Sequence, residues 1–92
     1  MTISDITFSP APEGLVETGV IGFVSCTVED ALKLDGITLR RTEEGRAVLG
    51  FPARRDAVGR QHFFVQPLDD RTRRDLERQV FRALGLEQES VQ

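Results

Sequence analysis

The chain has 92 residues, enough for one small domain, and 39% apolar with 29% charged residues is the balance of a globular protein. No apolar run approaches the length of a transmembrane helix or of a signal peptide, so we expect a cytoplasmic protein with no contact to membranes. With one histidine, one cysteine and no cluster of metal ligands, we expect neither a metal site nor a bound cofactor.

The N-terminal third predicts two β-strands. Residues 3–8 alternate weakly between apolar and polar side chains, and two prolines then end the strand before a flexible connection over residues 9–19. Residues 20–28 are rich in β-branched side chains and predict a buried second strand. Cys26 lies in this strand, so we expect it to be a small apolar core residue and not a nucleophile.

The middle of the chain predicts two further strands. A turn at residues 29–30 leads into a third strand over residues 31–42, in which the apolar positions change from even to odd numbers. Because a shift of one residue moves side chains to the other face, we expect a β-bulge at residues 35–36. Residues 43–45 predict a hairpin turn, and a fourth strand follows from Ala47 until Pro52 ends it.

The C-terminal part predicts a loop, a strand and a helix. After a loop over residues 54–60, Phe63 and Val65 indicate a fifth strand, and a helix is expected over residues 70–84. Asp69 or Asp70 would cap the helix at its start, and Gly85 would end it. One side of the helix would present an apolar stripe of Leu76, Val80 and Leu84, with Phe81 at its edge. The opposite side would present four arginines, namely Arg71, Arg74, Arg78 and Arg82.

These elements predict an α+β fold, with a five-stranded antiparallel meander sheet followed by one C-terminal α-helix. Residues 1–85 would form the single domain and residues 86–92 a frayed tail. A chain this short buries a small share of its surface, and with no disulfide available, oligomerisation is the remaining way to gain stability.

The charge is unevenly distributed along the chain. The net charge is −3, yet residues 1–35 contain six acids and one base, whereas residues 36–82 contain eleven arginines and seven acids. Arginine clusters close the third strand, occupy the 54–60 loop and open the helix. Their guanidinium groups are suited to neutralising the phosphate groups of a nucleic acid. Two other interpretations stay open: a solvated face braced by local ion pairs, and arginine usage set by a GC-rich genome.

Signals for catalysis are weak. His62 is the only histidine, and Asp56 is the only nearby carboxylate that could orient it as a general base. The neighbouring carboxylates at residues 69–70 stand where a helix begins, which favours capping over acid–base chemistry. We therefore expect a protein that is not an enzyme.

One segment resembles a known family. The sequence Phe51-Pro-Ala-Arg-Arg55, followed by Gly59 and Pro67-Leu68, resembles the SpoVG family of bacteria, the stage V sporulation protein G or septation regulators. The resemblance extends without gaps over residues 25–84, whereas the first nineteen residues match weakly. It departs from the family pattern at three places, namely Ala53, Phe63-Phe64 and Gln66.

The resemblance implies a homodimer that binds DNA or RNA and acts in septum formation and sporulation. Carried over by position, the loop and the helix start would supply the nucleic-acid-binding residues Arg54, Arg55, Arg71, Thr72, Arg73 and Arg74. The alternative is a protein–protein interaction module in which the same arginines bind acidic surfaces of partner proteins, or in which an exposed strand edge pairs with another chain.

Overall fold

The computed structural model describes residues 1–86 and has an α+β architecture. The described strands form two antiparallel sheets. Strands and helices follow one another along the chain as β1 (Ile3–Pro10), α1 (Glu13–Val16), β2 (Val20–Val28), β3 (Leu32–Arg41), β4 (Ala47–Gly50), β5 (Ala53–Arg55), β6 (Gln61–Phe63) and α2 (Asp70–Ala83). The first four strands form one sheet in the order β1-β2-β3-β4, and β5 and β6 form a separate two-stranded sheet.

The bulge predicted in the third strand is confirmed. Val24 lies opposite Ile37 and Cys26 lies opposite Leu34, so β3 contains one more residue than β2 between these pairs. The additional residue falls at Asp35 and Gly36, where Gly36 has a φ of +79° that a side chain would disfavour. The bulge returns Ile37 to the buried face of the sheet.

The predicted five-stranded meander differs from the observed sheets. The chain leaves the main sheet after Gly50, because Pro52 has no N–H to donate to a continuing strand. Arg54 and Arg55, which were predicted to lie in a loop, belong to β5. The expected strand at Phe63 and Val65 is β6, which begins at Gln61 and ends at Phe63, so Val65 lies outside it. Within residues 1–86 these two strands pair only with each other, so they form a hairpin beside the sheet, which we call the ribbon (residues 53–63).

The predicted connection between the first two strands contains a helical turn. β1 continues to Pro10, and the Leu15 amide then donates to the carbonyl oxygen of Pro12 within α1. The amide and the hydroxyl group of Thr18 both donate to the Leu15 carbonyl, which ends the turn before β2 begins.

The core lies between one face of the main sheet and α2. Its buried apolar side chains are Val24, Cys26, Ile37, Leu39, Ala47, Leu49, Val80 and Phe81. Phe81, at the edge of the predicted stripe, is only 1% exposed and is therefore buried as fully as Val80. Cys26 is buried as predicted, and burial raises the pKa of its thiol.

Both ends of α2 have the predicted caps. Asp69 accepts a hydrogen bond from the Thr72 amide at 2.8 Å. At the other end Gly85 has a φ of +74°, its amide donates to the Arg82 carbonyl, and the Leu86 amide donates to the Phe81 carbonyl at 2.8 Å. These bonds form a Schellman motif. The predicted frayed tail lies, from residue 87 onward, outside the described residues.

Neither of the two described helices is long and apolar enough to cross a lipid bilayer.

Candidate functional site

The two arginines of β5 point to opposite faces of the ribbon. Arg54 lies opposite His62 in the register, and Arg55 lies opposite Gln61. Neighbouring residues of a strand face opposite sides, so Arg54 shares a face with His62 whereas Arg55 shares the other with Gln61. Arg55 also donates from Nη1 to the carbonyl oxygen of Gly59 at 2.9 Å. The predicted Arg54–Arg55 pair therefore does not form one patch within a single chain.

Asp56 organises the tip of the ribbon. One carboxylate oxygen accepts from the amides of Val58 and Arg60 at 3.0 and 2.9 Å, and the other lies 2.8 Å from Nε2 of His62. The hydrogen bond from His62, followed by that from the Arg60 amide, lowers the pKa of Asp56. The histidine–carboxylate pair that a general base needs is present, but neither residue lines the cleft that lies between the ribbon, the main sheet and the start of α2.

The first turn of α2 uses most of its polar groups internally. Both the amide and the hydroxyl group of Thr72 donate to Asp69, and these two hydrogen bonds lower the pKa of that carboxyl group. Arg74 forms an ion pair with Asp70 at 3.0 Å. Arg71 is exposed, and within residues 1–86 its side chain has neither a hydrogen bond nor an ion pair.

Arg73 connects the helix to the edge of the main sheet. Its Nη2 donates to the carbonyl oxygen of Leu49 at 2.7 Å, its Nε lies 3.5 Å from the Glu77 carboxylate, and its guanidinium carbon lies 5.8 Å from the centre of the Phe51 ring. Glu77 in turn accepts from the Leu49 amide at 3.1 Å. Arg73 is therefore engaged in holding the fold together at the position where the resemblance implies a nucleic-acid contact.

An open cleft lies where the main sheet, the ribbon and the start of α2 meet. Its volume is about 390 Å³. β3 and β4 supply the floor, where Gly50 leaves space beside the hydroxyl group of Thr38. The ribbon contributes Gln61 and Phe63, and the segment that leads into the helix contributes Gln66. The charged residues of its lining are Arg40, Arg73, Asp69 and Asp70.

The structure thus brings some of the predicted residues together and separates others. Arg73 lines the cleft, and Arg55 shares the face of the ribbon whose Gln61 and Phe63 line it. Arg54 lies on the opposite face of the ribbon. The cleft residues Gln61, Gln66 and Arg40 were not predicted as site residues, and only the period-two alternation over residues 53–55 and 61–63 could have indicated which side chains share a face.

An apolar segment is exposed between the ribbon and α2. Phe64 is 65% exposed and Leu68 is 97% exposed, and Val65 between them is also exposed. Large apolar side chains exposed within five residues are unusual for a small soluble domain, and they mark a candidate contact surface.

Comparison of the chain with protein-family models and with curated proteins finds no match. Within residues 1–86, no group of three or more histidine, cysteine, aspartate or glutamate side chains is placed to hold a metal ion.

Proposed function

We propose that this protein is a non-enzymatic regulator of the SpoVG type, which binds DNA or RNA through the ribbon and the start of α2. The proposal rests on one observation: Arg54 and Arg71, one from each element, are exposed and have no side-chain partner within residues 1–86. A guanidinium group without an internal partner can contact phosphate with no loss of a contact that stabilises the fold.

The resemblance extends the proposal to a cytoplasmic homodimer that acts in septum formation and sporulation. The small size of the chain supports a dimer, because a 92-residue domain buries a modest share of its surface. Two copies would present each arginine group twice and strengthen the local positive field, although the net charge of the chain is −3.

The exposed apolar segment favours a second function, a protein–protein interaction module. Phe64, Val65 and Leu68 would then contact a partner, and the arginines would pair with its acidic residues. Salt separates the two functions, because counterion release makes nucleic-acid binding fall steeply between about 50 and 200 mM salt.

Fluorescence anisotropy with labelled duplex DNA and single-stranded RNA tests the proposal. The variant Arg54→Ala/Arg71→Ala removes the two unpartnered guanidinium groups, and Arg46→Ala/Arg82→Ala is a control with the same change of charge at exposed positions outside the cleft. For duplex DNA, log K falls as log salt rises, and each lost phosphate contact reduces the steepness of this negative slope by about 0.9.

We expect the first variant to bind more weakly with a shallower slope, and the control to bind like the parent. Equal losses in both variants would mean that only net charge matters and would contradict the assigned residues. An absence of binding at about 100 μM protein would remove the nucleic-acid function, since nonspecific binding is usually tighter than this. Light scattering that gives the mass of one chain would exclude the dimer.

A further inference from the structure

The cleft between β4, the ribbon and α2 has the features of a site for one unpaired nucleobase. We propose that it receives a single base of a single-stranded nucleic acid, with the base against Phe63 and its edge toward Gln61 and Gln66. This inference rests on the proposed function, because it identifies the part of a nucleic acid that the same region would bind.

The charges of the cleft favour a neutral ligand. Two arginines and two aspartates line it, so an entering phosphate would meet two carboxylates as well as two guanidinium groups. The guanidinium groups also have internal acceptors: Arg73 donates to the Leu49 carbonyl, and Arg40 donates to the Thr18 carbonyl at 3.1 Å. A phosphate would therefore gain little here, whereas Arg54 and Arg71 outside the cleft have no such acceptors within residues 1–86.

The uncharged groups of the lining match a base. Phe63 is 42% exposed and presents an aromatic side chain on which a base can stack. The amide groups of Gln61 and Gln66 are exposed and have no hydrogen-bond partner within residues 1–86. Each amide offers an acceptor and two donors, which is the chemistry that reads the edge of an unstacked base.

A site for one unpaired base favours single strands over duplexes. A base can enter only after it has left its stack, which costs little in a single strand and considerably more in a paired helix. The absence of a side chain at Gly50 keeps the floor of the cleft open, since a methyl group there would overlap the Thr38 hydroxyl group.

The experiment compares a single-stranded oligonucleotide with an abasic oligonucleotide of the same length and with a blunt duplex, by anisotropy at low salt. The variant Phe63→Leu removes the aromatic ring and keeps an apolar side chain. The control is Phe64→Leu, because Phe64 is adjacent and exposed but does not line the cleft. Thermal unfolding of both variants verifies that they are folded.

We expect Phe63→Leu to weaken binding of the single strand roughly tenfold and to leave binding of the abasic strand unchanged, while Phe64→Leu changes neither. Because the chain contains no tryptophan or tyrosine, Phe63→Trp adds a single reporter, and the normal strand should quench its fluorescence while the abasic strand should not.

Three outcomes would overturn the inference. Equal affinity of the parent for normal and abasic strands would show that only the backbone is bound, which contradicts the base site and leaves the proposed function standing. An equal loss on both strands in Phe63→Leu would assign Phe63 a structural role. If none of the three nucleic acids binds at low salt, the proposed function fails and the base site fails with it.

Discussion

Nη2 of Arg73 lies 2.7 Å from the carbonyl oxygen of Leu49, and this contact joins the first turns of α2 to the edge strand β4. Glu77, one helical turn later, accepts from the Leu49 amide. Both polar backbone groups of Leu49 are therefore satisfied by one helix. An unpaired strand edge is a template for another chain, so the Arg73–Glu77 pair closes the β4 edge at this residue.

Removing the arginine tests this structural role. Arg73→Ala leaves the Leu49 carbonyl without its donor and removes the ion pair of Glu77, so we expect the free energy of unfolding to fall by about 1–2 kcal/mol. The measurement is urea unfolding, with an unchanged m-value as the sign of a two-state loss. The matched control is Arg74→Ala, whose ion pair with Asp70 is largely exposed and should contribute less than about 0.5 kcal/mol. Equal effects of the two substitutions would contradict the role of Arg73.

A glycine in the central strand β2 tests the packing of β1 on the sheet. The ring of Phe8 and the carbonyl oxygen of Ser9 occupy the space that a methyl group at Gly22 would need. Gly22→Ala should therefore lower the free energy of unfolding by about 1–3 kcal/mol, because the edge strand must shift. Gly14→Ala is the control, since nothing lies within 4 Å of the added methyl group. If Gly22→Ala unfolds at the same urea concentration as the parent, β1 does not pack as described.

Local sequence patterns were sufficient to predict an element where the backbone preference of its residues agrees with their burial. β2 spans the predicted residues because its β-branched side chains fit a pleated, buried surface. The bulge at residues 35–36 follows from the change of apolar parity, and both caps of α2 follow from residue types that match a helix end. In each case one short segment contains all the information that its structure needs.

Apolar patterns along the sequence were not sufficient to predict the ribbon or the role of Arg73. Residues 53–63 have few apolar side chains, and the hairpin depends on the hydrogen bonds that Asp56 makes to the backbone of its own turn. Arg73 and Arg74 are identical in type and adjacent, but the helix rotates them by about 100°. One therefore faces β4 and the other faces solvent. Only the packing of α2 on the sheet decides which arginine remains available for a ligand.

The cap of α2 predicts a dependence of stability on pH. The two hydrogen bonds from Thr72 place the pKa of Asp69 in the folded protein below its value in the unfolded chain. The ionised cap therefore stabilises the fold above roughly pH 4, and this contribution is lost as the pH falls through the folded-state pKa. Asp69→Asn retains a capping oxygen that does not titrate.

We expect the parent to melt a few degrees above Asp69→Asn at pH 7, and the difference to shrink between pH 5 and pH 3. Thermal unfolding followed by circular dichroism at each pH measures it. Asp69→Ala, which removes the cap, should be the least stable of the three proteins at pH 7. A difference between the parent and Asp69→Asn that stays constant down to pH 3 would mean that the charge of Asp69 does not contribute.

The tip of the ribbon predicts a local effect that leaves the core intact. Asp56 accepts from two backbone amides of its own turn and from His62, and all of these contacts lie in the ribbon, away from the core. Asp56→Ala should therefore speed amide hydrogen exchange at Val58 and Arg60 without a matching fall in the global melting temperature. His62→Ala is the control, because it removes the side-chain contact and keeps both amide bonds. Unchanged exchange in Asp56→Ala would show that the turn does not depend on this carboxylate.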